Sequence, residues 1–337
     1  MAMRENPAID VHAHTILPEV QALVSGQEGW RREAAERNRT VGADSLEYNR
    51  KQFEAIYKEK FFNQDARLAD MDRMRIDVQT VSVTPSFGFN YWAERPLAEQ
   101  IIELTNAGIA AFCARRPARF VGLGNLAMQF PELAATQLKR AIEHFHLKGV
   151  IVSTTVAGVD LADERFEPVW QSAEESGALV FIHPVGCAIE QRLTPYYLSN
   201  ILGNPLETAL ALSHLIFSGI LDRHPRLRLL AAHGGGFLPF YSGRFDHGWR
   251  VRPEAHGCLH APSAYLRRIW FDSLVFDPAM LGFLISQVGA DRIMLGTDYP
   301  MDMGFEDPLG TLEKVGGLST EQRRAIAGAT ALALLGL

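Results

Sequence analysis

The chain has 337 residues, 47% hydrophobic and 21% charged, with a mean hydropathy near zero. This is the make-up of a folded protein with a large core; two average domains would fit, but α/β barrels use this length for one, and one domain over residues 1–337 is expected. A formal charge of −6 with no Lys/Arg-rich block argues against nucleic acid or an acidic membrane as partner, and no run of about 18 apolar residues suggests a membrane span, which leaves a small molecule as the expected partner.

In chain order, the segment Met1-Ala2-Met3-Arg4-Glu5-Asn6-Pro7 lacks the apolar centre of a secretory signal. The three cysteines, Cys113, Cys187 and Cys258, are far apart and form no C-x-x-C pair. Both features fit a reducing, cytoplasmic setting and give no thiolate metal site. The first β-like run, Ala8 to Ala13, carries Ile9-Asp10-Val11-His12-Ala13-His14. Alternate residues of a strand face one way, so His12 and His14 converge as two ligands of one metal must. From Thr15 to Ala66 the chain is too long for an ordinary strand-to-helix connection, and its middle, Arg31 to Arg50, is rich in charge. This is an insertion over the barrel mouth, either a substrate-covering lid or a solvated excursion.

Seven further β-like runs follow, at Gln79 to Thr84, Phe120 to Leu126, Gly149 to Thr154, Ala178 to Pro184, Leu227 to His233, Ile269 to Val275 and Arg292 to Asp298. Helical patterns lie between most of them, among them Glu94 to Arg115, Pro131 to His146, Pro168 to Ser176, Pro205 to Asp222 and Pro278 to Val288. Eight strand–helix units predict a parallel (β/α)8 TIM barrel, whose active site lies at the C-terminal ends of the strands. Those ends carry His12 and His14, then His183, His233 and Asp298. One rim thus supplies the N/O donors of a mononuclear site for one divalent ion, zinc by preference, with manganese, cobalt or iron also accepted by such donors. The other histidines, His144, His146, His214, His224, His247, His256 and His260, fall in helices or loops and are read as structural. The loop Pro85 to Trp92 is aromatic and suits either stacking on a planar ring or packing beneath the insertion. Cys187 is a candidate pocket wall, and Asp272 either orients a ligand or is a structural carboxylate.

The order H-x-H, His183-Pro184, Ala232-His233-Gly234-Gly235-Gly236 and Met294-Leu295-Gly296-Thr297-Asp298-Tyr299-Pro300 resembles the amidohydrolase superfamily over nearly the whole chain. It is most similar to the branch of metal-dependent decarboxylases of aromatic and muconate-type acids. The resemblance implies His12, His14, His183 and Asp298 as metal ligands. His233 is implied as a catalytic base beside a metal-bound water, with Asp298 also catalytic. Binuclear relatives place a bridging lysine at the end of strand four, where this chain has Ser153 and Thr154, so one metal is expected. Gly243-Arg244-Phe245-Asp246 resembles a segment that sends an arginine into a neighbouring subunit's site, which implies a homodimer with Arg244 binding substrate; a surface ion pair is the alternative role for Arg244. One departure stands out: Phe53-Glu54-Ala55-Ile56-Tyr57 has a glutamate where the muconate branch has a substrate-binding arginine, with Arg50 as a nearby substitute. The expected reaction is non-oxidative decarboxylation in aromatic compound catabolism. Hydrolysis of an amide, ester or lactone, or hydration of a double bond, would use the same metal hydroxide.

Overall fold

The computed structural model describes residues 6–187 and 192–337; Met1 to Glu5, part of the N-terminal segment read above, lie outside the described residues. Eight parallel strands run in chain order around a nearly closed barrel: β1 (Ile9–Thr15), β2 (Val78–Val83), β3 (Phe120–Gly124), β4 (Gly149–Ser153), β5 (Leu179–His183), β6 (Arg228–Ala231), β7 (Ile269–Asp272) and β8 (Ile293–Met294). All residues of β1 to β5 are buried, as expected where helices cover one face of a parallel sheet and a packed barrel interior covers the other. The intervening helices match the sequence patterns closely, for example Arg95–Ala114, Pro131–Glu143 and Pro278–Val288, each opened by a proline whose missing N–H costs nothing in the first turn.

The last strands are shorter than their β-like runs. β6 ends at Ala231 and β8 at Met294, and the chain then turns, with φ of +55° at both His233 and Asp298. These two residues therefore leave the pleat and lean over the rim. β1 is also irregular, with a bulge between Asp10 and Ala13 in its pairing with β2. Closure between β1 and β8 rests on a few backbone bonds, including Val11 N to the Leu295 carbonyl (2.8 Å) and Asp298 N to the His12 carbonyl (2.8 Å).

The insertion is helical, with segments at Pro18–Ser25, Glu28–Val41, Ala43–Gln52, Lys58–Phe62 and Gln64–Arg73. It packs on the loops that follow the strands: Trp30 stacks on Phe87 and donates its indole N–H to the Ser86 carbonyl. The turn after β6 makes room for the helix Asn204–Phe217. Gly236 has φ +63°, and a Cβ there would lie 1.9 Å from the Pro205 carbonyl oxygen. Gly236→Ala should therefore lower stability by about 3 kcal/mol or prevent folding, read from urea denaturation; an unchanged midpoint would show that the turn can shift.

Candidate metal centre and active-site cavity

Asp10, His12 and His14 alternate on β1 and point into the mouth of the barrel; His183 ends β5, and Asp298 follows β8. One donor atom from each of His12, His14, His183 and Asp298 lies within 4.8 Å of all the others. His12 Nε2 and His14 Nε2 stand 3.3 and 3.2 Å from the same Asp298 oxygen, Oδ1. His12, His14 and His183 are also close as rings, with centroids 4.9 to 5.2 Å apart.

The far nitrogen of each ring is tethered. His12 Nδ1 donates to Asp272 Oδ2 at 2.7 Å, and His183 Nδ1 to the Pro184 carbonyl at 2.8 Å. His14 Nδ1 lies 3.1 Å from Ser82 Oγ, whose own hydroxyl can donate to the Ala13 carbonyl. Carboxylates and carbonyls only accept, so His12 and His183 carry a proton on Nδ1 and turn Nε2 towards the centre as the atom that can ligate. Nε2 of all three histidines and Oδ1 of Asp298 are buried with no hydrogen-bond partner among the described residues. Orphaned buried donors and acceptors are costly, and one divalent ion would satisfy all four. The residues fit the metal that the sequence implies.

Charge is already partitioned for such an ion. Burial disfavours an imidazolium at His12, but the carboxylates of Asp298 and Asp272 outweigh it and push its pKa up to about 10. Burial lowers His14 and holds His183 well below the usual histidine range. Burial would raise Asp298, yet the charge of His12 keeps it well below the usual carboxylate range. In the metal-free site, then, Asp298 is ionised, His183 is neutral and His12 is an imidazolium, with a second proton on Nε2.

His233 stands apart. Its side chain is 13% exposed, its Nε2 is 3.9 Å from Asp298 Oδ2 and its Nδ1 has no partner. Asp272 fixes the backbone beneath it, accepting from the N–H groups of His233 (2.9 Å) and Gly234 (2.8 Å). His233 and Asp298 open onto a cavity of about 390 Å³ walled by Phe237, Phe240, Leu274 and Phe276.

Arg244 does not reach this cavity. It lies exposed on the helix Leu238–Val251, and the surface-pair reading finds no ion-pair partner for it among the described residues. Arg50 is paired to Glu47 through two hydrogen bonds, and Glu54 to Lys58; neither lines the cavity. The aromatic loop is mostly packing: Phe87 is covered by Trp30, and Tyr91 accepts from the Ser153 N–H. Cys187 is a wall, but of a second cavity of about 480 Å³ bounded by Ser153, Thr154 and the insertion's Arg37 and Thr40. Lys148 reaches the Gly336 carbonyl near the C-terminus, away from the histidines, and Ser153 pairs with His183 at the rim, where a bridging lysine would have to stand. None of the seven histidines read as structural joins the cluster.

Sequence reasoning missed the support behind the ligands. Asp10 accepts from His12 N, Gln79 Nε2, Thr297 N and Thr297 Oγ1, at 2.6 to 3.1 Å. Gln79 in turn accepts from Arg67, a fully buried guanidinium that also donates to the His14 carbonyl and lies over the Tyr299 ring. Asp10 shares its strand face with His12 and His14, a signal visible in the period-two pattern. Arg67 sits on the helix Gln64–Arg73, just past the insertion, and had none.

An α/β barrel with three histidines and an aspartate converging at its C-terminal rim is the architecture of the metal-dependent amidohydrolases. Residues 9–337 match the amidohydrolase family, to which the chain belongs. Within it the chain belongs to the branch of 2-amino-3-carboxymuconate-6-semialdehyde decarboxylase: it is 36% identical over 275 residues to that enzyme of Dictyostelium discoideum, covering 81% of this chain and 76% of the relative. A gamma-resorcylate decarboxylase of Rhodococcus jostii is 30% identical over 258 residues, 71% of this chain and 78% of the relative. The fold also matches that of a 5-carboxyvanillate decarboxylase from Novosphingobium aromaticivorans, solved with manganese and 4-hydroxy-3-methoxy-5-nitrobenzoic acid. There the TM-score is 0.84 at 22% identity, over 99% of this chain and 97% of that one.

Because His12 must shed its proton to become a ligand, each ion bound should release about one proton, and affinity should fall by about tenfold for each pH unit lowered between pH 9 and 7. Isothermal titration in buffers of different ionisation enthalpy checks this; a pH-independent affinity would mean that His12 is neutral in the metal-free protein. Asp272→Asn removes the acceptor that orients His12 and should weaken metal binding by about 10- to 100-fold while the fold persists by circular dichroism. Unchanged affinity would reduce Asp272 to a support for the His233 turn.

Proposed function

We propose that this protein is a metal-dependent, non-oxidative decarboxylase of an aromatic or muconate-type carboxylic acid. The observation that carries the reading is the buried convergence of His12, His14, His183 and Asp298 beside the partly exposed His233, in a chain whose relatives are decarboxylases. We read the whole chain as one barrel domain, residues 15–66 as a cover over the mouth, and the cell compartment as cytoplasmic. In support of a soluble protein, no helix among the described residues is long and apolar enough to cross a membrane.

His12, His14, His183 and Asp298 would hold one divalent ion, zinc or the manganese seen in the 5-carboxyvanillate enzyme. Bound there, the ion supplies a Lewis acid that holds carboxylate or hydroxyl oxygens and acidifies water. The rest of the chemistry belongs to side chains. The cavity takes the flat, unsaturated body of the substrate against Phe237, Phe240 and Leu274, so that the carbon bearing the carboxylate faces His233. His233 delivers a proton to that carbon as the acid form of a general acid–base pair. The bond to the carboxylate then breaks, carbon dioxide leaves, and its electron pair restores conjugation in the ring. Asp298 Oδ2, close to His233 Nε2, keeps the imidazole directed along the cavity.

Arg244 enters through a second copy of the chain. The exposed face that carries it also carries Tyr241, 60% exposed, on the same helix as the cavity wall Phe240. A homodimer formed across this face would bring the guanidinium of one copy towards the cavity of the other, to hold the reacting carboxylate.

Carbon dioxide release from a panel of hydroxy-, amino- and methoxybenzoates and carboxymuconate semialdehydes by the metal-loaded protein tests the reaction. Absence of carbon dioxide from every acid, with water added or a carboxylate formed on other substrates, would reassign it to a hydratase or hydrolase. His233→Ala should retain the metal and lose turnover by about 100-fold or more. Loss of the metal in that variant would instead place His233 among the ligands.

A further inference from the structure

The cavity beside His233 is chemically one-sided, and that bears on which acids it admits. Its walls are aromatic and aliphatic, and the side chains of Met280 and Phe276 are 45% exposed to it and to the solvent at its mouth. Among the described residues that line it, His233 and Asp298 are the ones that can carry charge, and Asp298 is an anion. Three cations of the neighbouring insertion are committed elsewhere: Arg50 to Glu47 at 3.0 and 2.9 Å, Lys58 to Glu54 at 3.0 Å and Lys60 to Asp70 at 3.1 Å, and Arg37 lines the other cavity. Two polar side chains remain on the cavity surface, the amides of Asn200 and Asn204, and neither amide has a hydrogen-bond partner among the described residues. Asn200 lies in the turn Ser199–Gly203 and Asn204 opens the helix Asn204–Phe217, so both amides project from one short stretch of chain on one side of the cavity.

Such a surface accepts some substituents and rejects others. A carboxylate pressed against phenylalanine and leucine loses its hydration and gains no cation in return, whereas a hydroxyl, amino or methoxy group is satisfied by a primary amide, which both donates and accepts. Building on the decarboxylase reading above, we infer that the cavity selects a monocarboxylic acid whose ring or conjugated body bears a neutral hydrogen-bonding substituent, held by Asn200 and Asn204, and that it discriminates against a second carboxylate. The metal, with Arg244 of a second copy, then serves the single carboxylate that reacts. In its ring chemistry the substrate is closer to a resorcylate than to a carboxymuconate semialdehyde, although the relative named for the latter is the more similar in sequence. Glu54, where an arginine was expected from the resemblance, fits the same selection: an anion stands at that position, paired to Lys58, and offers no guanidinium to a second carboxylate.

Calorimetric binding of three probes to the metal-loaded, full-length protein tests the inference: benzoate, 2-hydroxybenzoate and 2-hydroxybenzene-1,3-dicarboxylate, with carbon dioxide followed in parallel. The dicarboxylate is expected to bind about tenfold or more weakly than 2-hydroxybenzoate, and benzoate about fivefold more weakly. Asn200→Ala combined with Asn204→Ala should remove the advantage of the hydroxyl while benzoate binding stays the same. Asn200→Arg should narrow or reverse the preference against the dicarboxylate. A dicarboxylate that binds the native protein as tightly as the monocarboxylate, or tighter, overturns the inference, and if carbon dioxide is released the decarboxylase reading stands without it. Failure of all three acids to bind, with no carbon dioxide from any aromatic acid, overturns both.

Discussion

The site depends on how the barrel closes. β1 and β8 meet through a handful of backbone bonds, and one of them, Asp298 N to the His12 carbonyl, ties a ligand-bearing turn directly to the strand that carries two other candidate ligands. Asp10 reinforces the seam. Its carboxylate gathers donors from β1, from Gln79 on β2 and from Thr297, the residue before Asp298. Four hydrogen bonds on one buried carboxylate are what make its burial tolerable, and they also fix where Asp298 can lie. Gly296 belongs to the same seam, since a Cβ there would crowd Asp272 and His12. Burying the ligands and closing the barrel are therefore one structural problem with one solution.

A second layer decides what the ligands can do. Asp272 holds both the ring of His12 and the backbone of His233, so one carboxylate orients a candidate metal ligand and sets the height of His233 above it. The Pro184 carbonyl does the same for the ring of His183. Each tether holds a proton on the outer nitrogen and aims the inner one at the centre, where a cation would take its lone pair. Arg67 adds a buried positive charge that has no carboxylate within ion-pair distance among the described residues and is held by carbonyls, an amide and the Tyr299 ring. Isolated burial of that kind is expensive, and here it stiffens the backbone of His14 from behind.

The mouth of the barrel is divided. On the side of β6 to β8 lies the apolar cavity that His233 faces; on the side of β2, β4 and β5 lies a more polar cavity that includes Cys187, Glu207 and the insertion's Arg37. The insertion contacts the loops of the second side through Trp30, while the first side is left to the helices after β5 and β6. The division separates the apolar surface suited to a planar substrate from the charged surface of the insertion, and Arg244 lies exposed one turn along the helix from the cavity wall Phe240.

Sequence and tertiary structure each contributed distinct information. The alternation of β-like runs with helical patterns was enough to give the eight-stranded barrel, because a buried parallel strand must be continuously apolar and its following helix must be amphipathic, both of which are local properties. The candidate ligands were legible for the same reason: His12, His14 and His183 end apolar runs, and Asp298 sits in a turn motif that the chain spells out. Asp10 shares their strand face, a signal that the sequence reading did not use. What the sequence left open depended on contacts between distant residues. Whether the Pro85 to Trp92 loop binds or packs, whether Arg50 stands in for Glu54, and which cavity Cys187 faces were decided by the way the insertion lies on the rim. The tethers of Asp272 to His12 and of Arg67 to His14 span 260 and 53 residues, and no local pattern encodes them. A side chain's type is written in the sequence, but its protonation state and its neighbours are set by what the completed fold buries beside it.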